Sequence, residues 1–431
     1  MVGMNSSNMK RISAILLSLA ALTAVSCGEK DNPTSGGNGG GGGSTQKTYL
    51  PDWEDGYMDI HHIATGKGDC VFVVMPDGTT MLQDAGDVGD AYGSADCDRL
   101  PDRSKTVGEW IADYINHFSA KLPSPGVVDY AWITHFHSDH VGCKTCGVDG
   151  PNGYYLSGLT MVGEKVQIKK LVDRAYPSYD FPSTKKIEQE FPLFQDYKMF
   201  TNYQIGKGMT AEKFAIGSKT QFALVHDAAK YPEFEVRNLC ANGEVWTGRG
   251  TATKKMYSGD TEKFDENMNS CAVKMTYGKF SYFNGGDLPG KNLSQYQSTE
   301  RNFEIQVSEL AGPVTALTPD HHGWKESTTA EFLKNMKPEV IAVMSNHIEH
   351  PHSSTMANMT SDMIWPGERD IYVTSDGPKK HLGNAFSSFK GVGHIVIRVY
   401  KGGTAYQVYV LDAKEKDYPV SYMSKIKYLE K

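Results

Sequence analysis

Positive charge is in short supply here: 44 lysines and arginines face 51 aspartates and glutamates, for a net charge of −7. That balance argues against a dedicated nucleic-acid-binding domain, although one basic groove fits inside a mildly acidic total. No apolar run reaches the length that a membrane span needs, and no internal repeat is visible. Cysteine is scarce, with seven in 431 residues. Cys143-Lys144-Thr145-Cys146 looks like half of a zinc knuckle, but no second CxxC completes it. What the chain does have is 39% hydrophobic and 11% aromatic residues, enough for a real core.

The first residues read as a targeting segment to be kept out of the fold. Lys10-Arg11 supplies a positive start, with Met9 as a candidate initiator, and Ile12 to Val25 forms a short apolar core. Ala24-Val25-Ser26-Cys27 then resembles a bacterial lipobox, which makes Cys27 the lipidated residue of an exported, membrane-anchored protein facing the periplasm or cell exterior; the plainer reading is a cleaved signal with an incidental Cys. Residues 28–48 are Gly/Ser-rich and serve as a flexible tether. A single catalytic domain is expected over residues 49–414, followed by a charged, peripheral tail at 415–431. In an oxidising compartment Cys143 and Cys146 suit a local disulfide, with two free thiols as the alternative.

From Tyr57 onward strands and helices alternate. Tyr57 to Ala64, Cys70 to Met75 and Thr79 to Gln83 are β-rich, and Val107, Trp110, Ile111, Tyr114, Ile115 and Phe118 recur at helical spacing. Val127 to Thr134 reads as a buried strand running directly into a His/Asp cluster. The middle of the chain is harder to read, with a helix around Ser183 to Glu190 and a strand expected at Gln221 to His226. Two β runs flank Tyr277-Gly278 as a hairpin, and further strands fall at Val314 to Thr318, Val340 to Ser345, Ile371 to Thr374, Gly393 to Tyr400 and Ala405 to Leu411. Two strand-rich halves with interspersed helices predict an α/β fold of two mixed sheets packed face to face, helices outside.

The chemistry is concentrated in His135-Phe136-His137-Ser138-Asp139-His140. Residues two apart in an extended segment point the same way, so His135 and His137 can present imidazoles to one point. After a turn, Asp139 and His140 can face a second point nearby. Imidazole with carboxylate suits Zn²⁺ and similar cations, and a pair of such ions can clamp an ester or phosphoester. A His-rich surface loop is the bland alternative, made improbable by the spacing and by the buried strand before it.

Thr134 to Gly142 resembles the signature of the metallo-β-lactamase superfamily, an αββα sandwich of metal-dependent hydrolases. Gly66-Lys67-Gly68-Asp69, Leu82-Gln83-Asp84-Ala85-Gly86, Asn269-Ser270, Gly286-Asp287-Leu288, Pro319-Asp320-His321-His322-Gly323 and the stretch from Asn346 to His352 are similar, in order, to elements of the subgroup containing the ComEC C-terminal domain and phosphorylcholine esterases. The resemblance implies His135 and His137 as ligands of a first metal, and Asp139 and His140 as ligands of a second. It also implies Asp287 as a bridge and one of His321-His322 as the last ligand, with His322 favoured. His321 is then left to contact substrate or move a proton. One element departs from the family: no Gly-His-Thr-like turn precedes Asp287, and Asn267 and Asn269 stand near its place, so the first site is the poorer in ligands.

These readings imply one or two Zn²⁺ ions, with Mn²⁺ as an alternative, and metal-assisted hydrolysis in which Asp139 or a bridging carboxylate holds the nucleophile and His321 or a histidine near 350 protonates the leaving group. A small-molecule or phosphodiester substrate is expected. A β-lactam or lactone is the alternative on the same fold, and a noncatalytic metal-binding lipoprotein the alternative outside it. Asp69 and Asp84 fit orienting roles, and His61-His62 fits core packing with one ring on each face.

Overall fold

Alternation along single strands sorts the apolar side chains into layers. In strand Val71–Val74, Val71 and Val73 join a core with Ile60, Ile395, Ile397 and Tyr282, whereas Phe72 and Val74 join another with Ile111, Ile115 and Leu159. Strand Val340–Val343 divides likewise: Val340 and Ala342 enter the first core, and Ile341 and Val343 enter a third with Phe332, Leu333 and Met356. Successive strand side chains point to opposite faces, and strands buried on both faces read as continuous apolar runs. The first core therefore lies between two sheets, and the other two lie beneath helices. This computed structural model, which describes residues 46–90, 97–257, 264–290 and 302–430, is an αββα sandwich of two mixed sheets. The leader, Cys27 and nearly all of the tether lie outside the described residues. Lys47–Lys431 makes one unit.

The first sheet runs, edge to edge, Val420–Met423, Ala405–Leu411, His394–Val399, Met58–His62, Val71–Val74, Thr80–Gln83, Val127–Trp132, Gln167–Asp173 and Thr210–Lys213. Its last four strands are parallel. The second runs Thr253–Lys255, Glu244–Trp246, Phe234–Ala241, Ala272–Tyr277, Phe280–Asn284, Ala316–Leu317, Val340–Val343, Asp370–Val373 and Phe389–Val392, parallel from Phe280 onward. Loops leaving the carboxyl ends of parallel strands are the usual place for a site in α/β sheets.

Helix Val107–Ser119 begins with a capping box, Thr106 accepting from the Glu109 N–H and the Glu109 carboxylate accepting from the Thr106 N–H. Its buried face holds Val107, Trp110, Ile111, Tyr114 and Ile115. Gly108 lets it lie against helix Leu159–Lys165, since a Cβ there would come within 2.6 Å of the Met161 Cβ.

The expected strand at Gln221 to His226 is a loop. Side chains, not a neighbouring strand, take its backbone donors: Val225 donates to Thr79 Oγ1, and His226 and Asp227 both donate to Asp77 Oδ2. Phe222 and Leu224 still enter the core between the sheets, which gave the segment a strand-like alternation. The long strand here is Phe234–Ala241, whose Glu235 and Arg237 obscure the apolar pattern. Within the charged C-terminal stretch, residues 420–423 pair with Ala405–Leu411 at the edge of the sheet.

Candidate metal centre

Strand ends from both sheets deliver the centre. Val127–Trp132 leads to His135, Phe280–Asn284 to Asp287, Ala316–Leu317 to His321 and His322, and Val340–Val343 to Asn346. The chain stays extended through His137 before the turn Ser138–Val141, so the His135 and His137 rings fall on one side, with His135 Nε2 3.0 Å from His137 Nδ1. The opening loops grip that turn by its backbone. Asp69 N–H donates to the Asp139 carbonyl, Ala85 N–H to that of His140, and Asp87 N–H to that of Ser138, at 2.8–2.9 Å. Only glycine fits at position 86, where a Cβ would lie 1.7 Å from the Asp139 carbonyl oxygen.

Asp287 is the hub. Its Oδ1 is 3.2 Å from His140 Nε2, and its Oδ2 is 3.6 Å from His322 Nε2, 3.7 Å from His321 Nε2 and 3.8 Å from His135 Nε2. His322 Nε2 also lies 3.0 Å from Asp139 Oδ2. Two donor groups result, and they share this residue: Asp139, His140, Asp287 and His322 in one, and His135, His137 and Asp287 in the other. His321 belongs to neither; its side chain is 26% exposed, at the edge of the centre beside Asn267 Nδ2.

Behind the donors stands a second tier. Asp84 Oδ2 is 2.9 Å from His140 Nδ1 and also accepts from the Thr134 hydroxyl. Asp69 Oδ1 is in ion-pair contact with His322 Nδ1 at 2.9 Å. Such partners fix an imidazole's tautomer and turn its other nitrogen inward. Glu190, from helix Thr184–Glu190, approaches the outer Nε2 of His137 at 3.7 Å. Asn346 Nδ2 donates to Asp139 Oδ2 at 3.1 Å, and His350 stacks on His322 with centroids 4.6 Å apart.

The fit to a cation follows from atoms left without partners. His140 Nε2 and Asp287 Oδ1 are buried, face each other and make no hydrogen bond. Buried polar atoms are rarely left so, at a cost of about 1–3 kcal/mol each, and a divalent ion between them would satisfy both. Charge points the same way. Burial opposes protonation of His140, yet Asp287, Asp139 and Asp84 outweigh it and hold the ring well above its usual range. Burial likewise opposes charge on His322, and Asp69, Asp287 and Asp139 overcome it. Burial alone would raise Asp139 and Asp287; the histidines around them pull both well down. His135, by contrast, is pushed well below its usual range by burial and by His140. Three buried carboxylates, Asp69, Asp84 and Asp287, with the partly buried Asp139, call for positive charge at their centre.

Backbone strain is concentrated here too. Asp84, His321 and His322 have φ of 55°, 50° and 53°, a region costing non-glycine residues about 1 kcal/mol or more. Left-handed φ at consecutive residues turns His322 inward while leaving His321 at the rim.

Other histidines go elsewhere. His61 contacts Tyr114 on the helix side, His62 contacts Tyr282 and Thr318 between the sheets, and His226 sits in the Asp77 loop. Cys143 and Cys146 form a disulfide, and Cys70, Cys240 and Cys271 are buried thiols. Sequence reasoning missed the contacts of Glu190, which ends the expected helix, and those of Glu266 and Arg174, which lie outside any expected element.

No family model matches the chain. A curated relative, Recombination protein 2 of Haemophilus influenzae, is 26% identical over 126 residues, which are 28% of this chain and 15% of that protein. The chain thus matches well under a fifth of that relative's length. Among solved structures, Zn(2+)-bound PqqB from Methylobacterium extorquens is similar over 74% of this chain and 97% of its own, at 11% identity and a TM-score of 0.38. The metallo-beta-lactamase fold protein YhfI from Bacillus subtilis is similar over 74% and 96%, at 13% identity and a TM-score of 0.34.

Proposed function

We propose that this chain is a metal-dependent hydrolase of phosphodiesters, exported and fastened to a bacterial membrane by a lipid on Cys27. The observation that carries the hydrolase reading is that Asp287 belongs to both donor groups, so that one carboxylate would serve both if each held an ion. His135, His137 and Asp287 would hold one ion, and Asp139, His140, Asp287 and His322 the other. Zn²⁺ suits this imidazole and carboxylate set, with Mn²⁺ the alternative where only three side chains contribute. Bound ions would supply Lewis-acid polarisation of the substrate oxygen and a strong nucleophile at neutral pH.

The chain's own residues do the rest. Asn346 and His322 hold Asp139 from one side, which fixes the carboxylate facing the reacting centre. His321, partly exposed and lowered in pKa chiefly by burial, stands where it can take up or deliver a proton. The partial likeness to a recombination protein is in keeping with a nucleic-acid or related phosphodiester.

Purified full-length protein, loaded with Zn²⁺ or Mn²⁺, should hydrolyse bis(p-nitrophenyl) phosphate or plasmid DNA and leave nitrocefin intact. Folded His137→Ala and Asp139→Ala variants should lose that turnover. Retention of wild-type turnover by both would sink the reading, and metal binding with no turnover on any substrate would favour a binding protein. The anchor is tested separately: Cys27→Ala should abolish palmitate labelling and release the protein from the membrane fraction.

A further inference from the structure

A second set of metal-binding side chains stands outside the centre. Glu349 and His352 lie on the segment after strand Val340–Val343, and His381 lies on the short helix Lys379–Leu382. One donor atom from each falls within 4.8 Å of the other two. The His352 and His381 ring centroids are 5.4 Å apart, and His381 Nδ1 is 3.8 Å from Glu349 Oε1. An ordinary Glu–His ion pair is a poor account of this arrangement: the contact is long, and His381 Nε2 is enclosed without any hydrogen-bond partner. His352 Nδ1 is 2.8 Å from Ser354 Oγ. Nδ1 also accepts the Ser354 backbone N–H at 3.2 Å; moving the ring proton to Nδ1, where the exposed Ser354 hydroxyl can accept it, would give Nε2 to a cation.

We propose that Glu349, His352 and His381 form a third cation site, for Zn²⁺ or a similar borderline divalent ion, with its remaining positions open to water. Two imidazoles and a carboxylate match the ligand preference of such ions. The side chains of Glu349 and His381 are only 35% and 21% exposed, so they need little further desolvation. The ion would pin the segment to the helix. That same segment carries Asn346, which donates to Asp139, and His350, which stacks on His322. The site thereby braces two contacts to the metal centre without contributing a ligand to it.

Metal-stripped full-length protein would be dialysed against Zn²⁺ and its bound equivalents counted by mass spectrometry, with calorimetric titration alongside. The expected result is one equivalent fewer in His352→Ala/His381→Ala than in wild type. Glu349→Gln, a near-isosteric change, should weaken that one binding event at least tenfold with the others unmoved. His137→Ala should lose metal at the catalytic centre yet keep this equivalent, so the site stands or falls independently of the hydrolase reading. Equal equivalents and equal affinities in wild type, the double variant and Glu349→Gln would overturn the proposal.

Discussion

The backbone N–H of Phe136, between His135 and His137, donates to Oε1 of Glu266 at 2.9 Å. Glu266 is in turn gripped by Arg174, whose Nη2 reaches Oε2 at 2.6 Å, and both side chains are fully enclosed. Arg174 also lies 5.1 Å from the Phe136 ring centroid. A buried ion pair thus sets the path of the chain between His135 and His137, from the segment where the family resemblance would have placed a further histidine.

Removing one partner of such a pair strands a buried charge, at about 3–5 kcal/mol. Glu266→Ala is accordingly expected to lower the denaturation midpoint sharply in urea. Glu266→Gln should keep the shape and the acceptor for Phe136 and retain more stability, while leaving Arg174 uncompensated. If both variants match wild type in urea, the pair does not hold the loop.

The legible part of this protein was its local part. The His135-to-His140 run, the hairpin about Gly278 and the Val107–Ser119 helix each announce themselves within a few residues, through spacing, turn chemistry or a cap. Glu266, Arg174 and Glu190 gave no such sign, because their roles depend on contacts across the fold: Arg174 and Glu266 are 92 residues apart. Strand Phe234–Ala241 was hidden for a related reason. Its Glu235 and Arg237 face away from the core, and its partner Ala272–Tyr277 comes more than thirty residues later.

Asp84 offers a test of orientation apart from ligation. It touches no expected ion position, yet it holds His140 at Nδ1 and receives both the N–H and the hydroxyl of Thr134. Asp84→Asn should reduce metal affinity by about 10–100-fold, the usual range for losing such a partner. Competition with a fluorescent chelator would measure it. An unchanged affinity would show that Thr134 alone suffices to orient the ring.

Asp287 is the residue whose loss should affect both ion positions. Asp287→Asn keeps the volume but removes the charge that His140, His322, His321 and His135 all face. The expected result is loss of metal from both donor groups, whereas His137→Ala should spare the group containing His322. Equivalents bound per chain, determined after dialysis, distinguish these patterns.

Acid stability should be governed in part by three buried histidines outside the candidate metal centre. Burial pushes His61 down to about 4, and His62 and His394 down to about 3. His394 Nδ1 accepts the Ala64 N–H, a bond that protonation would break. Because the folded values lie below the unfolded value near 6.5, the unfolded chain binds more protons at acidic pH. Their contribution is therefore intact above about pH 6.5 and is lost as pH falls through the folded values, about 4 for His61 and about 3 for His62 and His394. Each proton adds a slope of about 1.4 kcal/mol per pH unit, so three should give about 4 kcal/mol per unit between pH 6 and pH 4. Urea unfolding of metal-free protein at several pH values measures this slope. The titratable groups of the candidate centre add their own proton linkage, so the comparison with His394→Gln isolates one group: its slope should be shallower by about 1.4 kcal/mol per unit, whatever its stability at pH 7. A slope equal to that of wild type would mean that His394 is already protonated in the folded chain or that water reaches it.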